Sequence, residues 1–183
     1  MKFYKAITIT AILFPLLWGI GCLLLGHKDA AVTSFLTSGI IALFSLLHKK
    51  FPLLKPITFC AVILFVLFSH FAGKALHFYS FIPHWDKILH LLSGFLLYSI
   101  GKQLGTRLQK SASQSVLLLV FAFLFSVAGA GIWELYEFAG DTLFGLHAQN
   151  NSLSDTMLDM LFGSIGAILM LAINFWQYKN PIQ

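Results

Sequence analysis

Long apolar runs separated by short polar breaks form the pattern of this chain from end to end. A helix needs roughly 20 apolar residues to cross the ~30 Å hydrocarbon core of a bilayer. Reading the runs against glycines, prolines and charges predicts six membrane-spanning helices, near residues 6–25, 30–47, 57–78, 86–101, 115–140 and 155–176. No soluble domain fits between them, so residues 1–183 are predicted to form a single all-α membrane domain, a six-helix bundle.

The second predicted span is barely long enough and is interrupted by hydroxyl side chains. Hydroxyls inside a membrane helix can bond back to carbonyls of the preceding turn, which removes the cost of exposing them to lipid. We therefore count this segment as spanning despite its four hydroxyl residues, Thr33, Ser34, Thr37 and Ser38.

Composition supports a membrane protein and changes how the net charge is interpreted. Hydrophobic residues make up 58% of the chain and charged residues only 10%, which is more apolar than a soluble domain requires. The formal charge of +5 would suit nucleic acid, but the twelve basic residues stand in short clusters between apolar runs. They are better interpreted as determinants of topology, so no nucleic-acid partner is expected.

The basic residues also predict the orientation of the bundle. With six spans, nine of the twelve lie on one side: Lys2, Lys5, Lys49, Lys50, Lys55, Lys102, Arg107, Lys110 and Lys179. The other side has Lys28, Lys74 and Lys87. The positive-inside rule therefore places both termini in the cytoplasm.

Acidic residues collect at the predicted outer ends of the last three helices. Their spacings of three, four and seven residues place each set on one helical face. The sets are Asp86 with His90, then Glu134, Glu137 and Asp141, then Asp155 with Asp159, and the third helix adds His70, Lys74 and His77 at the same level. Four helices are thus predicted to point polar stripes at one place.

The energetic cost of charge in hydrocarbon makes this a candidate site. An ionised side chain there costs at least ~2.5–3.5 kcal/mol unless it faces protein, water or a partner. His90, Glu134 and Asp159 are the deepest of their sets, so their charges must be neutralised by protons, by Lys74 or a protonated histidine, or by a cation. Imidazole and carboxylate ligands suit zinc, manganese or iron. The predicted metal ligands are these three residues and Asp155.

Structural alternatives exist for several of these residues. Asp86, which follows Pro83, fits a helix N-cap, and Ser152 with Asp155 has capping-box spacing. Glu137 and Asp141 fit solvated charges just outside the membrane. For the three deepest residues, the alternative is a hydrogen-bond network between helices.

Small residues near the polar positions predict close helix packing. They precede Glu134 and follow His90 and Asp159, where backbones could approach one another: Gly94, Gly129, Gly131, Gly163 and Gly166. Gly101 and Gly105 instead lie at the predicted inner end of the fourth helix, a position typical of a helix stop.

Three motifs resemble those of a known family. They are His84-Trp85-Asp86-Lys87-Ile88-Leu89-His90, Trp133-Glu134-Leu135-Tyr136-Glu137, and Asp155-Thr156-Met157-Leu158-Asp159 followed by Gly163 and Gly166. In this order they resemble the YjdF-type family of bacterial inner-membrane proteins, and more distantly VanZ-like membrane proteins. The resemblance implies a multi-pass protein of the bacterial cytoplasmic membrane. It also implies the site residues Asp86, Lys87, His90, Glu134, Glu137, Asp155 and Asp159, but no established activity.

Three functions compete on this evidence. The first is a metal-dependent intramembrane enzyme acting on a lipid or envelope precursor, with Glu137 or Asp86 as general base. The second is a proton-coupled transporter, although the predicted inner halves of the helices offer only hydroxyls and glycines. The third is a non-catalytic accessory protein that binds a cation or a lipid headgroup. The sequence specifies neither the substrate nor the oligomeric state.

Overall fold

The computed structural model describes residues 2–109, 115–145, 148–150 and 152–180, and it contains helices but no strands over these ranges. The helices are α1 (Lys2–Leu24), α2 (Lys28–Lys50), α3 (Pro56–Val66) continued by a π-helical segment (Leu67–Ala75), α4 (Phe78–Phe81), α5 (Trp85–Leu108), α6 (Val116–Phe144) and α7 (Leu153–Lys179). The predicted all-helical class is confirmed for the described residues. Lys110, counted in the charge bias above, lies outside them.

Five helical segments of the described chain are long and apolar enough to cross a membrane: Tyr4–Leu24, Lys28–Lys50, Pro56–Ala75, Val116–Phe144 and Leu153–Lys179. They correspond to five of the six predicted spans. The remaining one is α5, whose 24 residues reach ~36 Å but whose composition is more polar than that of the others. The six-span count and the orientation therefore stay predictions.

The chain forms two compact units, Met1–Trp85 and Asp86–Gln183. In the first unit, Ile41 of α2 and Ile63 of α3 are almost fully buried in an apolar core that also contains Phe59. Two of the four hydroxyls predicted to bond within α2 do so: Ser34 donates to the Ala30 carbonyl at 2.7 Å and Thr37 to the Thr33 carbonyl at 2.8 Å. Ser38 instead donates to the Ile12 carbonyl of α1 at 3.0 Å, which links the two helices.

The third predicted span differs from the expected uninterrupted α-helix over residues 57–78. Its second half is π-helical, and the helix ends at Ala75, before the short α4. His77 has a φ of 60°, which helical geometry does not allow. Gly73 lies against the Tyr79 ring, which occupies the space that a Cβ would need. The chain therefore turns back earlier than its apolar composition suggests.

In the second unit, α6 is antiparallel to α5, and α7 is parallel to it. Going along α5 from Gly94 to Gly105, the α6 contacts run backwards from Ser126 to Leu118. The α7 contacts run forwards instead, from Asp159 beside Lys87 to Asn174 beside Lys102. This up-down-up arrangement brings the start of α5, the end of α6 and the start of α7 to one end of the unit.

The sequence predicted that Gly101 and Gly105 mark the end of α5, but in the structure they do not. The helix continues to Leu108, and both glycines are buried in its interior. A Cβ at Gly101 would lie 2.9 Å from the Phe125 side chain, and one at Gly105 would lie 2.8 Å from the Phe121 ring. The Phe121 and Phe125 side chains of α6 occupy the space that a Cβ would need at these positions. Glycine is therefore required here although the positions lie inside a helix.

Candidate functional site

The Lys87 ammonium lies among three carboxylates where α5 and α7 begin. Its Nζ is 2.5 Å from Asp155 Oδ1, 2.7 Å from Asp159 Oδ1 and 3.4 Å from Asp86 Oδ2. Since Lys87 is in the first turn of α5 and both aspartates are in the first two turns of α7, the ion pairs join these parallel helices. Lys87 is thus the central cation of the cluster, although from the sequence it was assigned to the site only through the family resemblance.

His90 lies one turn deeper on α5 and faces carboxylates of three helices. Its Nε2 is 3.7 Å from Asp86 Oδ1 in α5, 3.9 Å from Glu134 Oε1 in α6 and 3.6 Å from Asp159 Oδ1 in α7. These separations are longer than hydrogen bonds, which have donor–acceptor distances of roughly 2.7–3.2 Å. The imidazole nitrogen therefore lies near three carboxylate oxygens without forming a hydrogen bond to any of them.

The three residues predicted to be deepest are indeed buried within the protein. His90 is 7% exposed, Glu134 4% and Asp159 3%. Glu134 Oε1 has no hydrogen-bond partner among the described residues, although it points at His90. A buried polar atom left without a partner costs about 1–3 kcal/mol, so this orphaned oxygen is the main unexplained feature of the cluster.

Side chains from the turn before α7 complete the outer rim of the cluster. Asn150 Nδ2 donates to Asp155 Oδ2 at 2.7 Å, and Gln149 Nε2 donates to the Glu134 carbonyl oxygen at 3.2 Å. Asp141 holds this turn in place by accepting hydrogen bonds from the backbone N–H groups of Ala148 at 2.6 Å and Gln149 at 2.9 Å. Asp141 therefore organises the turn that supports Glu134.

Helix capping accounts for Ser152 but not for the carboxylate of Asp155. Ser152 is the N-cap of α7, and its Oγ accepts a hydrogen bond from the Asp155 N–H at 3.2 Å. The Asp155 side chain turns to Lys87 and Asn150. Glu137, one turn beyond Glu134 on α6, accepts a hydrogen bond from Trp133 Nε1 at 2.9 Å on the exposed side of the helix.

Close backbone contact between α5 and α7 holds the cluster together. A Cβ on Gly94 would overlap the Gly163 carbonyl oxygen and lie 3.0 Å from the Gly166 Cα and the Ala167 nitrogen. This contact is one turn past His90 and one turn past Asp159. The predicted close packing is therefore found at Gly94, Gly163 and Gly166, but not at Gly131, where a Cβ would meet only the Met160 methyl at 3.7 Å.

The structure brings together six of the predicted site residues: Asp86, Lys87, His90, Glu134, Asp155 and Asp159. His70 and Lys74 belong to the first unit, on its π-helical segment, and His70 Nδ1 is buried there without a hydrogen-bond partner among the described residues. Their predicted membership of the polar site stays a prediction.

Sequence reasoning missed the contributions of Gln149 and Asn150. Both lie in a polar turn between apolar runs, where amide side chains are ordinary and have no periodicity to set them apart. The available signal was their position in the sequence a few residues before Asp155, because a short turn stays close to the first turn of the helix that follows it.

One subset of the cluster has the composition of a metal site. Asp86, His90 and Asp159 each offer one donor atom, and these atoms lie within 4.8 Å of one another. This triad overlaps the predicted ligand set in His90 and Asp159 and adds Asp86, which was predicted as a base or a cap.

A family model described as "Predicted membrane protein (DUF2238)" matches residues 6–180. The chain belongs to the DUF2238 family. This DUF2238 protein is 33% identical over 101 residues to an uncharacterized protein of Thermotoga maritima, an alignment that covers 55% of this chain and 53% of that relative. The alignment thus spans about half the length of the relative. No solved structure matches the DUF2238 chain.

The family match confirms the membrane-protein family expected from the resemblance to YjdF-type proteins. It also agrees with the apolar helices in describing a multi-pass membrane protein. Neither the family description nor the Thermotoga relative carries a named activity, so function is argued from the cluster.

Proposed function

We propose that this protein binds a divalent cation between His90, Glu134 and Asp159, with Asp86 at the rim of the site. The observation that carries the proposal is the Glu134 Oε1 atom, which is buried, lacks a hydrogen-bond partner among the described residues and faces the imidazole nitrogen of His90. Burying a carboxylate in such a position is costly unless a cation or a proton compensates it.

The donor atoms fit a transition metal in type and spacing. Donors at about 2.0–2.2 Å from one zinc ion lie at most roughly 4.4 Å apart. The His90 nitrogen is 3.6 Å from the Asp159 oxygen and 3.9 Å from the Glu134 oxygen, and both distances are within that limit. One imidazole with carboxylates suits zinc, manganese or iron better than calcium.

Lys87 opposes cation binding at this site. Its ammonium contacts the same Asp159 oxygen that faces His90, so a divalent ion must share or displace that contact. The shorter pair with Asp155 can persist, since Asp155 is not among the proposed ligands. We assign Asp155 the role of holding Lys87 when the ion is bound, in place of its predicted role as a ligand.

A bound divalent ion would supply Lewis-acid chemistry and an activated water. The protein would then act as an intramembrane enzyme on a lipid or envelope precursor, with Asp86 or Glu137 taking a proton. Asp86 supports this role better, because it is half-exposed at the rim and lies 3.7 Å from His90. A cation- or lipid-binding accessory protein would use the same residues without turnover.

The proposal includes the placement of the protein in the membrane. We infer six spans, with α5 crossing as the polar helix of the second unit and with both termini in the cytoplasm of a bacterial cell. The basic residues support this orientation by nine to three. The acidic cluster would then lie at the outer surface of the cytoplasmic membrane, within reach of lipid and envelope precursors.

Elemental analysis of the detergent-purified protein tests cation binding without knowledge of a substrate. We expect stoichiometric zinc, manganese or iron in the wild type and less than a tenth of it in Glu134→Gln and Asp159→Asn. Asp29→Asn, at an exposed acidic residue of α2, is the matched control and should keep its metal. Absence of metal from the wild type after supply of all three ions contradicts the proposal.

A further inference from the structure

Four exposed lysines belong to one end of the first unit, and together they are called the basic patch. Lys5 is in the first turn of α1, Lys49 and Lys50 are in the last turn of α2, and Lys55 directly precedes α3. Residues 51–55 connect two helical segments that are each long and apolar enough to cross a membrane. The connection and its lysines therefore lie at a membrane surface.

Tertiary contacts hold the helix ends of the basic patch together. Tyr4 at the start of α1 and Leu54 just before α3 pack against one buried apolar cluster, which contains Phe59. The His48 ring stacks on the Phe59 ring with centroids 4.1 Å apart, and this contact joins the last turn of α2 to the first turn of α3. The lysines thus extend from neighbouring helix ends whose positions are fixed by packing.

The first unit places no carboxylate at this end. Asp29 is the only acidic residue among residues 1–85, and it is in the first turn of α2, whereas Lys50 ends that helix. The helix rises about 32 Å between these two residues, several times the Debye length of about 8 Å at physiological salt. The charges of Lys49 and Lys50 therefore need anions from outside the unit.

Exposed apolar side chains accompany the lysines in the same connection. Phe51 is 54% exposed and Leu53 is 50% exposed, and Lys50 Nζ lies over the Phe51 ring, 5.3 Å from its centroid. At a membrane surface, such apolar groups enter the boundary between headgroups and acyl chains, while the charged ends of neighbouring lysines stay at the level of the headgroups. The connection therefore offers both an apolar anchor and positive charge to a lipid.

We propose that the basic patch binds anionic phospholipids, with Lys49 and Lys50 as the main partners of the headgroup phosphate. From the sequence these lysines served only as determinants of topology. Their convergence, the packing that fixes them and the exposed apolar side chains between them add selection of a lipid by its charge. The surface should favour phosphatidylglycerol over phosphatidylcholine, whose choline cation cancels the charge of its phosphate. This inference goes beyond cation binding at the acidic cluster and does not depend on it.

Quenching by brominated lipids tests the surface where it lies. Leu53→Cys, labelled with bimane in a background of Cys22→Ser and Cys60→Ala, reports the lipids that contact the connection. The labelled full-length protein is reconstituted in phosphatidylcholine vesicles with increasing mole fractions of brominated phosphatidylglycerol or brominated phosphatidylcholine. A basic residue near an anionic surface increases affinity about fivefold. We therefore expect half-maximal quenching at a mole fraction at least about tenfold lower for phosphatidylglycerol.

Replacing both Lys49 and Lys50 with glutamine should remove most of this preference. The two half-quenching mole fractions should then agree within about twofold, since two contributions of about fivefold are lost. Lys28→Gln combined with Lys74→Gln is the matched control, because it removes the same number of exposed charges from the opposite end of the first unit. The control should keep the preference of the labelled parent protein.

A second pair of substitutions keeps the test decisive if the Lys49 and Lys50 double variant does not reconstitute. Lys5→Gln combined with Lys55→Gln then takes its place and should lower the preference at least about fivefold. The proposal is overturned if both lipids quench the labelled parent equally or if the variant of the basic patch keeps the parent's preference. It is also overturned if the control pair loses as much preference as that variant.

Discussion

At the scale of single residues, Lys87 and Glu134 differ in how well their charges are compensated. The Lys87 ammonium forms ion pairs with several carboxylates, whereas Glu134 has an oxygen without any hydrogen-bond partner among the described residues. A substitution that removes charge should therefore have opposite effects at the two positions. The difference can be measured without knowing the activity.

Replacing Lys87 with methionine should increase affinity for a divalent metal. The substitution removes a cation that competes for the Asp159 oxygen while keeping a long apolar stem. We expect the dissociation constant for zinc or manganese to fall by about tenfold or more, since each 1.4 kcal/mol of lost repulsion is a factor of ten. Titration against a chromogenic chelator measures this, with the exposed Lys28→Met as control. Weaker binding in Lys87→Met would mean that the ammonium supports the ion.

Thermal stability in EDTA should separate Glu134→Gln from Asp159→Asn. Glutamine removes a buried charge that the metal-free protein leaves poorly compensated, so its melting temperature should be unchanged or higher. Asparagine at position 159 takes a carboxylate away from the Lys87 ammonium and should destabilise the protein by about 1–3 kcal/mol. Scanning fluorimetry in one detergent compares the two variants directly. The reverse order would show that the Glu134 carboxylate is stabilised in the metal-free state.

At the scale of helices, the site depends on how closely α5 approaches α7. Gly94→Ala should push these helices apart, because its Cβ meets backbone atoms that cannot rotate away. We expect a loss of about 1–3 kcal/mol in stability and a matching loss of metal. Gly131→Ala in α6 is the control, since its Cβ would meet only the Met160 methyl at 3.7 Å. Equal stability of both variants would contradict a tight α5–α7 contact.

The extent of prediction from sequence also differs between helices. Apolar runs locate α1, α2, α6 and α7 within a few residues, because lipid imposes a length that composition reveals. They fail at the end of the third span, where the helix becomes π-helical and ends at Ala75, because a tertiary contact such as that of Gly73 with the Tyr79 ring leaves no periodic signal in the sequence. At α5 the sequence instead predicts an end that is too early. Gly101 and Gly105 suggest a helix stop, but the helix continues and aromatic rings of α6 pack against both glycines.

The site was predictable as a location but only partly as a set of contacts. Helical spacing brings Asp86, His90, Glu134 and Asp159 to the same end of the unit. It cannot show which cation the carboxylates share, because the reach of Lys87 from α5 to α7 depends on the distance between the two helices. The Gln149 and Asn150 contacts depend on a turn that has no periodic signal.

At the scale of the whole molecule, the orientation of the bundle can be tested by labelling. In a background of Cys22→Ser and Cys60→Ala, Ala148→Cys should react with a membrane-impermeant maleimide on intact cells, because the turn before α7 is predicted to be external. Leu53→Cys, at an exposed residue between α2 and α3, should react only after permeabilisation. The opposite pattern would reverse the topology and place the acidic cluster in the cytoplasm.

The separation of about 18 Å between His90 and Lys102 has an electrical consequence. Moving one elementary charge across a whole membrane is worth about 2.3 kcal/mol per 100 mV. In the proposed placement, a cation that stops at the acidic cluster has crossed little of that drop, whereas the Lys102 ammonium lies more than half of it deeper. Occupancy of the cluster should therefore respond weakly to voltage.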